Sequence, residues 1–133
     1  MTVFADSYYY FALFNAKDNA HGRAIKFSEN FQGRLVTTAW VLTEVADGMA
    51  GIADRDVFIR FFDEISLDPD VTIIPSAPEL FIEGITLYRD RPDKEWSLTD
   101  CISFVVMNRE RLTEALTGDR HFQLSTSFIQ TSD

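Results

Sequence analysis

Four acids in this chain stand where carboxylate chemistry is possible. Asp6 ends the first apolar run, TVFA; Glu44 lies within WVLTEVADGM; Asp100 precedes CISFVVM; Asp119 follows EALTG. They are 38, 56 and 19 residues apart, so only the fold can bring them together. Several unpaired carboxylates in one cleft raise one another's pKa, and a protein that keeps them together needs a cation. All-oxygen ligands suit Mg²⁺ or Mn²⁺, and no cysteine and histidine spacing suits structural zinc. Such an ion keeps positions open for phosphate and water, which is the arrangement used in phosphodiester hydrolysis.

Each acid also has a plainer reading. Asp6 and Asp119 are acceptable turn or cap residues, and Asp100 in LTDC is a first-turn acid of a helix capped by Thr99. Glu44 beside Asp47 fits a solvated helix face. Ser7 and Thr99 carry hydroxyls that serve equally as caps or as auxiliary groups of a site. His121, two residues past Asp119, is read as a capping, packing or solvent residue, and Cys101 as core. Trp96 is a packing anchor. Tyr8, Tyr9 and Tyr10 point in different directions on a helix and cannot form one stacking platform.

The elements that must position these residues follow from periodicity. TVFA reads as a buried strand feeding the helix SYYYFALFN. A second helix is expected over Asp18 to Glu29, then the strand LVTT after Gly33, then a helix from Trp40 to Met49. Another helix begins with Asp54 and Asp56 in its first turn and reaches about Ile65, with Val57, Phe58, Phe61, Phe62 and Ile65 on its apolar side. DPDVTIIP gives a turn and a strand closed by Pro75. Ala77 to Tyr88 is helical, RDRPDKEW a charged connection, Asp100 to Arg109 a helix and Leu112 to Thr117 a strand. FQLST or SFIQ supplies a last edge strand. Strands alternating with helices predict an α/β domain, a central mainly parallel sheet covered by helices on both faces. Sites in such sheets gather beyond the carboxyl ends of the strands, where chain order reverses.

Composition bounds the rest. The chain has 133 residues, 46% hydrophobic and 14% aromatic, enough for one domain over 1–133 with a substantial core. Its net charge of −9 argues against a general nucleic-acid or membrane-surface binder. Any phosphate contact must come from a local patch, with Arg23, Lys26, Arg34, Arg89, Arg91 and Lys94 as candidates. Cys101 is the only cysteine, so an internal disulfide is impossible. The opening MTVFADSYYYFALF lacks the basic start and uninterrupted apolar core of a signal peptide or spanning helix, so a reducing cytoplasmic setting without a membrane is expected.

FADSYYYFALFN, LVTTAWVLTEVADGM, WSLTDCISFVVM and EALTGDRHF together resemble the successive motifs of PIN-domain proteins, in the group containing the VapC toxins of toxin–antitoxin modules. The coupling of SLTDCISF to the acid of LTGDRHF nineteen positions later is the most specific part. The resemblance implies a three-layer fold with a central parallel sheet, and a Mg²⁺- or Mn²⁺-dependent endoribonuclease. Its acidic site maps to Asp6, Glu44, Asp100 and Asp119, and a hydroxyl of that site maps to Ser7 or Thr99. Two departures stand out: Arg111 replaces a glycine often found before the ALT strand, and QLSTSF replaces a QAGF-like turn.

What the resemblance implies for function is a toxin that hydrolyses RNA to 5′-phosphate and 3′-hydroxyl ends, acts as a homodimer and pairs with an antitoxin protein. VFIRFFDEI is a candidate dimer or antitoxin surface, with core packing of Phe58, Phe61 and Phe62 as the plainer reading. Three alternatives stay open: a catalytically degenerate module that binds RNA or protein, a metal-dependent DNA nuclease, and a phosphatase. The last lacks a second Asp two residues after Asp6, where Tyr8 stands.

Overall fold

The computed structural model describes residues 1–116 and the short strand Leu124–Ser125. Strand β1 (Thr2–Ala5) leads to helices α1 (Ser7–Phe14) and α2 (His21–Asn30), then to β2 (Arg34–Thr38), α3 (Ala39–Gly48) and α4 (Ile52–Leu67). Next come β3 (Val71–Ile74), α5 (Pro78–Asp90), α6 (Leu98–Arg109), β4 (Ala115–Leu116) and β5 (Leu124–Ser125). The five strands form one sheet in the order β3-β2-β1-β4-β5. All neighbours are parallel except β4 and β5. The expected three-layer α/β architecture, a mainly parallel sheet flanked by helices, is therefore observed.

The order of the strands decides where a site can form. From β1 the chain steps outward through β2 to β3, then returns to place β4 on the other side of β1. The direction of winding thus reverses at β1, whose carboxyl end becomes the natural crevice. Val3, Phe4 and Ala5 are all fully buried, as a central strand covered on both faces must be. The register aligns Ala5 with Leu116, and the Asp6 amide donates to the Leu116 carbonyl at 3.2 Å.

Several boundaries differ from the expected ones for identifiable reasons. The second helix starts at His21, not Asp18, because Asn15 and Asp18 fold the chain into turns. Their side-chain oxygens accept from the Lys17 amide at 3.0 Å and the Ala20 amide at 2.8 Å. In α4 only Asp54 lies in the first turn. Phe58, Phe61 and Ile65 pack on the core, whereas Val57 and Phe62 are exposed. The strand expected from Leu112 is confined, among the described residues, to Ala115–Leu116. Before it, Arg111 takes φ of 57°, the left-handed region that disfavours a side chain. The edge strand β5 falls within FQLST; SFIQ lies outside the described residues.

Helices α5 and α6 form the most extensively packed pair of helices. Gly84 makes this possible: a Cβ there would overlap Ile102 of α6. Glu83 and Arg109 tie the same two helices with an ion pair at the surface. Among the described residues no helix is long and apolar enough to cross a membrane.

Candidate acidic site

Asp6 follows β1 directly and is 4% exposed. Its Oδ1 has no hydrogen-bond partner. Burial pushes its carboxyl up to about 7; the charge of Asp100 adds to this, the Ser7 amide opposes it, and Glu44 contributes a smaller push upward. Three of the four expected acids are therefore electrically coupled around the end of β1. A lone buried carboxylate is costly, and its negative neighbours increase that cost.

Two threonines that the sequence suggested only as strand residues fix this corner. Thr37 is fully buried and its hydroxyl donates to the Ala5 carbonyl at 2.9 Å, anchoring the residue before Asp6. Thr38 caps α3, accepting from the Val41 amide at 3.0 Å, and so sets the helix that carries the half-buried Glu44. A Thr at a strand's end just before a helical period is the signal for such a cap.

Asp100 has two roles at once. The cap of α6 is Ser97, not Thr99: the Ser97 hydroxyl accepts from the Asp100 amide at 3.0 Å, and Asp100 Oδ2 accepts from the Ser97 amide at 3.0 Å. This reciprocal capping box holds the carboxylate in place through one oxygen. The plain reading of Asp100 as a helix-start residue is thus correct, and the same residue also acts on Asp6. Ser103, one turn later, is buried with a hydroxyl that has no protein partner.

The remaining candidates sort as follows. Ser7 is buried beside Asp6, and Thr99 is half-buried. Asp47 is exposed. Cys101 is buried in the core of α6, as expected. His21 hydrogen-bonds the Ala12 carbonyl through Nδ1 at 2.7 Å and is structural. Asp119 and His121 lie outside the described residues. Among the described residues no group of three or more His, Cys, Asp or Glu side chains is placed to hold a metal ion. The orphaned Oδ1 of Asp6 and the all-carboxylate donor set nevertheless fit a hard divalent cation.

The fold decides which known structures this chain is similar to. It is similar to Mycobacterium tuberculosis VapC20, a sarcin-ricin loop cleaving toxin, with a TM-score of 0.79 and 23% identity over 89% of this chain and 90% of that one. The fold is PIN-like. A toxin–antitoxin complex from Klebsiella pneumoniae is also similar, with a TM-score of 0.62 and 17% identity over 86% of this chain and 84% of that one. No protein-family model and no curated protein matches the sequence. At these identities the likeness is one of PIN-like fold.

Proposed function

We propose that this protein is a divalent-metal-dependent endoribonuclease and the toxin of a toxin–antitoxin pair. The observation that carries the reading is the buried Asp6 carboxyl, with an unpartnered oxygen and with Asp100 and Glu44 acting on it at the topological switch of the sheet. The likeness to the sarcin-ricin loop cleaving toxin, and to a chain of a toxin–antitoxin complex, supports RNA as substrate and an antitoxin as partner.

In this reading Asp6, Glu44, Asp100 and Asp119 hold Mg²⁺ or Mn²⁺, directly or through water. The ion, when bound, polarises a phosphate oxygen and lowers the pKa of water. Asp6 supplies the ligand whose charge is otherwise costly, so binding and ionisation reinforce each other. Asp100 offers the oxygen that the Ser97 amide does not use. Glu44 orients the attacking water and takes its proton. Water would then attack phosphorus in line with the 3′-oxygen, the P–O3′ bond breaking as the departing oxygen takes a proton from solvent water, which leaves 5′-phosphate and 3′-hydroxyl ends. Ser7 serves as an auxiliary hydrogen-bond donor to a site carboxylate or to phosphate, with Thr99 as the other candidate.

The alternative reading is a module that binds RNA or protein without cutting. A titration with Mn²⁺ followed by an RNA cleavage assay separates the two. Metal binding with cleavage supports the nuclease; RNA binding that is indifferent to metal, without cleavage, supports the module.

A further inference from the structure

A cleft of about 710 Å³, with no site acid in its lining, lies between the end of α5 and the segment leading into α6. Its size is that of a small-molecule or nucleotide site. Its walls include Arg89, Arg91 and Lys94 against a single acid, Glu95, in a chain whose total charge is −9. Two of these cations are held by an aromatic support. Trp96 stands edge-on to Phe104 at 4.6 Å between ring centroids, and its ring carries the Arg91 guanidinium at 5.4 Å and the Lys94 ammonium at 5.9 Å. Arg91 is further fixed by two bonds to Asp93, at 2.9 and 2.8 Å. Lys94 on the Trp96 ring and Arg89 on the cleft wall are the cations that can meet a ligand. Tyr88, 53% exposed, adds an open aromatic face. Cys101, the residue after Asp100, closes the cleft at the start of α6.

We propose that this cleft binds a nucleotide of single-stranded RNA flanking the bond to be cut, with phosphate on Arg89 and Lys94 and a base against Tyr88. The inference rests on the nuclease reading, because it takes Asp100 to mark where the strand enters the acidic site. It also removes a difficulty of that reading: a strongly acidic chain gains a local cationic cleft, lined by the residue that follows Asp100. Cations combined with an open ring are the usual elements of sequence-tolerant single-strand binding.

The test is binding of a fluorescein-labelled oligouridylate of about ten nucleotides in EDTA, followed by anisotropy across a salt series, with circular dichroism confirming that each variant is folded. Replacing Arg89 and Lys94 together by Ala should weaken binding about ten-fold and reduce the slope of log affinity against log salt by about 1.4. Tyr88→Ala should weaken it about ten-fold with little change in slope. Replacing Lys17 and Arg60 together by Ala, both remote from the cleft, should change neither. Equal losses in the remote double variant, unchanged binding in the cleft variants, or selective binding of an oligoglutamate peptide in place of RNA would overturn the proposal. Cleavage with Mn²⁺ is measured in parallel. Cleft-dependent binding without cleavage contradicts the nuclease reading and leaves the cleft supported; cleavage with binding indifferent to Arg89 and Lys94 contradicts the cleft alone.

Discussion

The charge of Asp100 acts on Asp6 at the carboxyl end of β1: the buried carboxyl of Asp6 is pushed up to about 7, and the charge of Asp100 is the largest contribution after burial itself. One comes from a strand end and the other from the first turn of α6. Each is placed by bonds that have nothing to do with the other, Asp6 by pairing with Leu116 and Asp100 by the capping box with Ser97.

The first prediction concerns pH without metal. The folded protein holds the Asp6 proton up to about pH 7, whereas the ordinary carboxyl releases it near 3.8. The resulting stabilisation is complete below the lower value and is lost as pH rises through the higher one, by an amount on the order of a few kcal/mol. Asp6→Asn cannot ionise, so in EDTA the wild type should lose stability relative to it between pH 5 and pH 8. Urea unfolding at both values measures this, and parallel behaviour of the two proteins would contradict it.

Capping and charge at α6 can be separated by two substitutions. Ser97→Ala removes the hydroxyl cap and should cost about 1 kcal/mol, while leaving metal-dependent cleavage within about two-fold, since the backbone amide that holds Asp100 Oδ2 is kept. Asp100→Asn retains an oxygen for the Ser97 amide and removes a charge acting on Asp6. The metal-free protein should keep its stability or gain on the order of 1 kcal/mol. Thermal melts in EDTA check both values.

Arg111 offers a stability test independent of function. At φ of 57° a side chain costs about 1–2 kcal/mol, part of which glycine returns through the greater freedom of its unfolded chain. Arg111→Gly should therefore raise stability by somewhat under about 1 kcal/mol. A loss of stability would show that the Arg111 side chain contributes more than its backbone costs.

Gly84 makes the opposite prediction. Gly84→Ala forces a Cβ against Ile102 and should destabilise the α5–α6 pair by about 1–3 kcal/mol. Removing the overlapping Cγ1 with Ile102→Ala should make the double variant less destabilised than the sum of the two single changes, because the two residues are in contact.

The fold was legible because its local signals agree. β-branched and aromatic runs mark β1, β2 and β3, and Pro75 ends β3 where expected. What was misread turned on bonds between positions that periodicity does not weigh. Asn15 and Asp18 delay α2 by bonding the backbone in turns, and Ser97 takes the cap from Thr99 because its hydroxyl reaches the Asp100 amide. The exposure of Val57 and Phe62 depends on how α4 sits, which its own pattern cannot specify. Of the candidate site, Asp6 and Asp100 were visible as acids at element ends and Glu44 as an acid within a helix. The bond from Thr37 to the Ala5 carbonyl was not, because it joins two strands distant in sequence. The three cations of the α5–α6 cleft were visible only as scattered charges until Trp96 was seen beneath two of them.

The most direct test of the central claim is a Mn²⁺ titration of wild type and Asp100→Asn, reading melting temperature and RNA cleavage on the same samples. Metal that binds only the folded state adds about 2.7 kcal/mol at one hundred times its dissociation constant. The wild type should therefore melt several degrees higher with Mn²⁺ and cut RNA, while Asp100→Asn shows little shift and cleavage lower by orders of magnitude. A mutant that melts and cleaves like the wild type with and without Mn²⁺ would mean that Asp100 is a helix cap and nothing more, and would contradict the account.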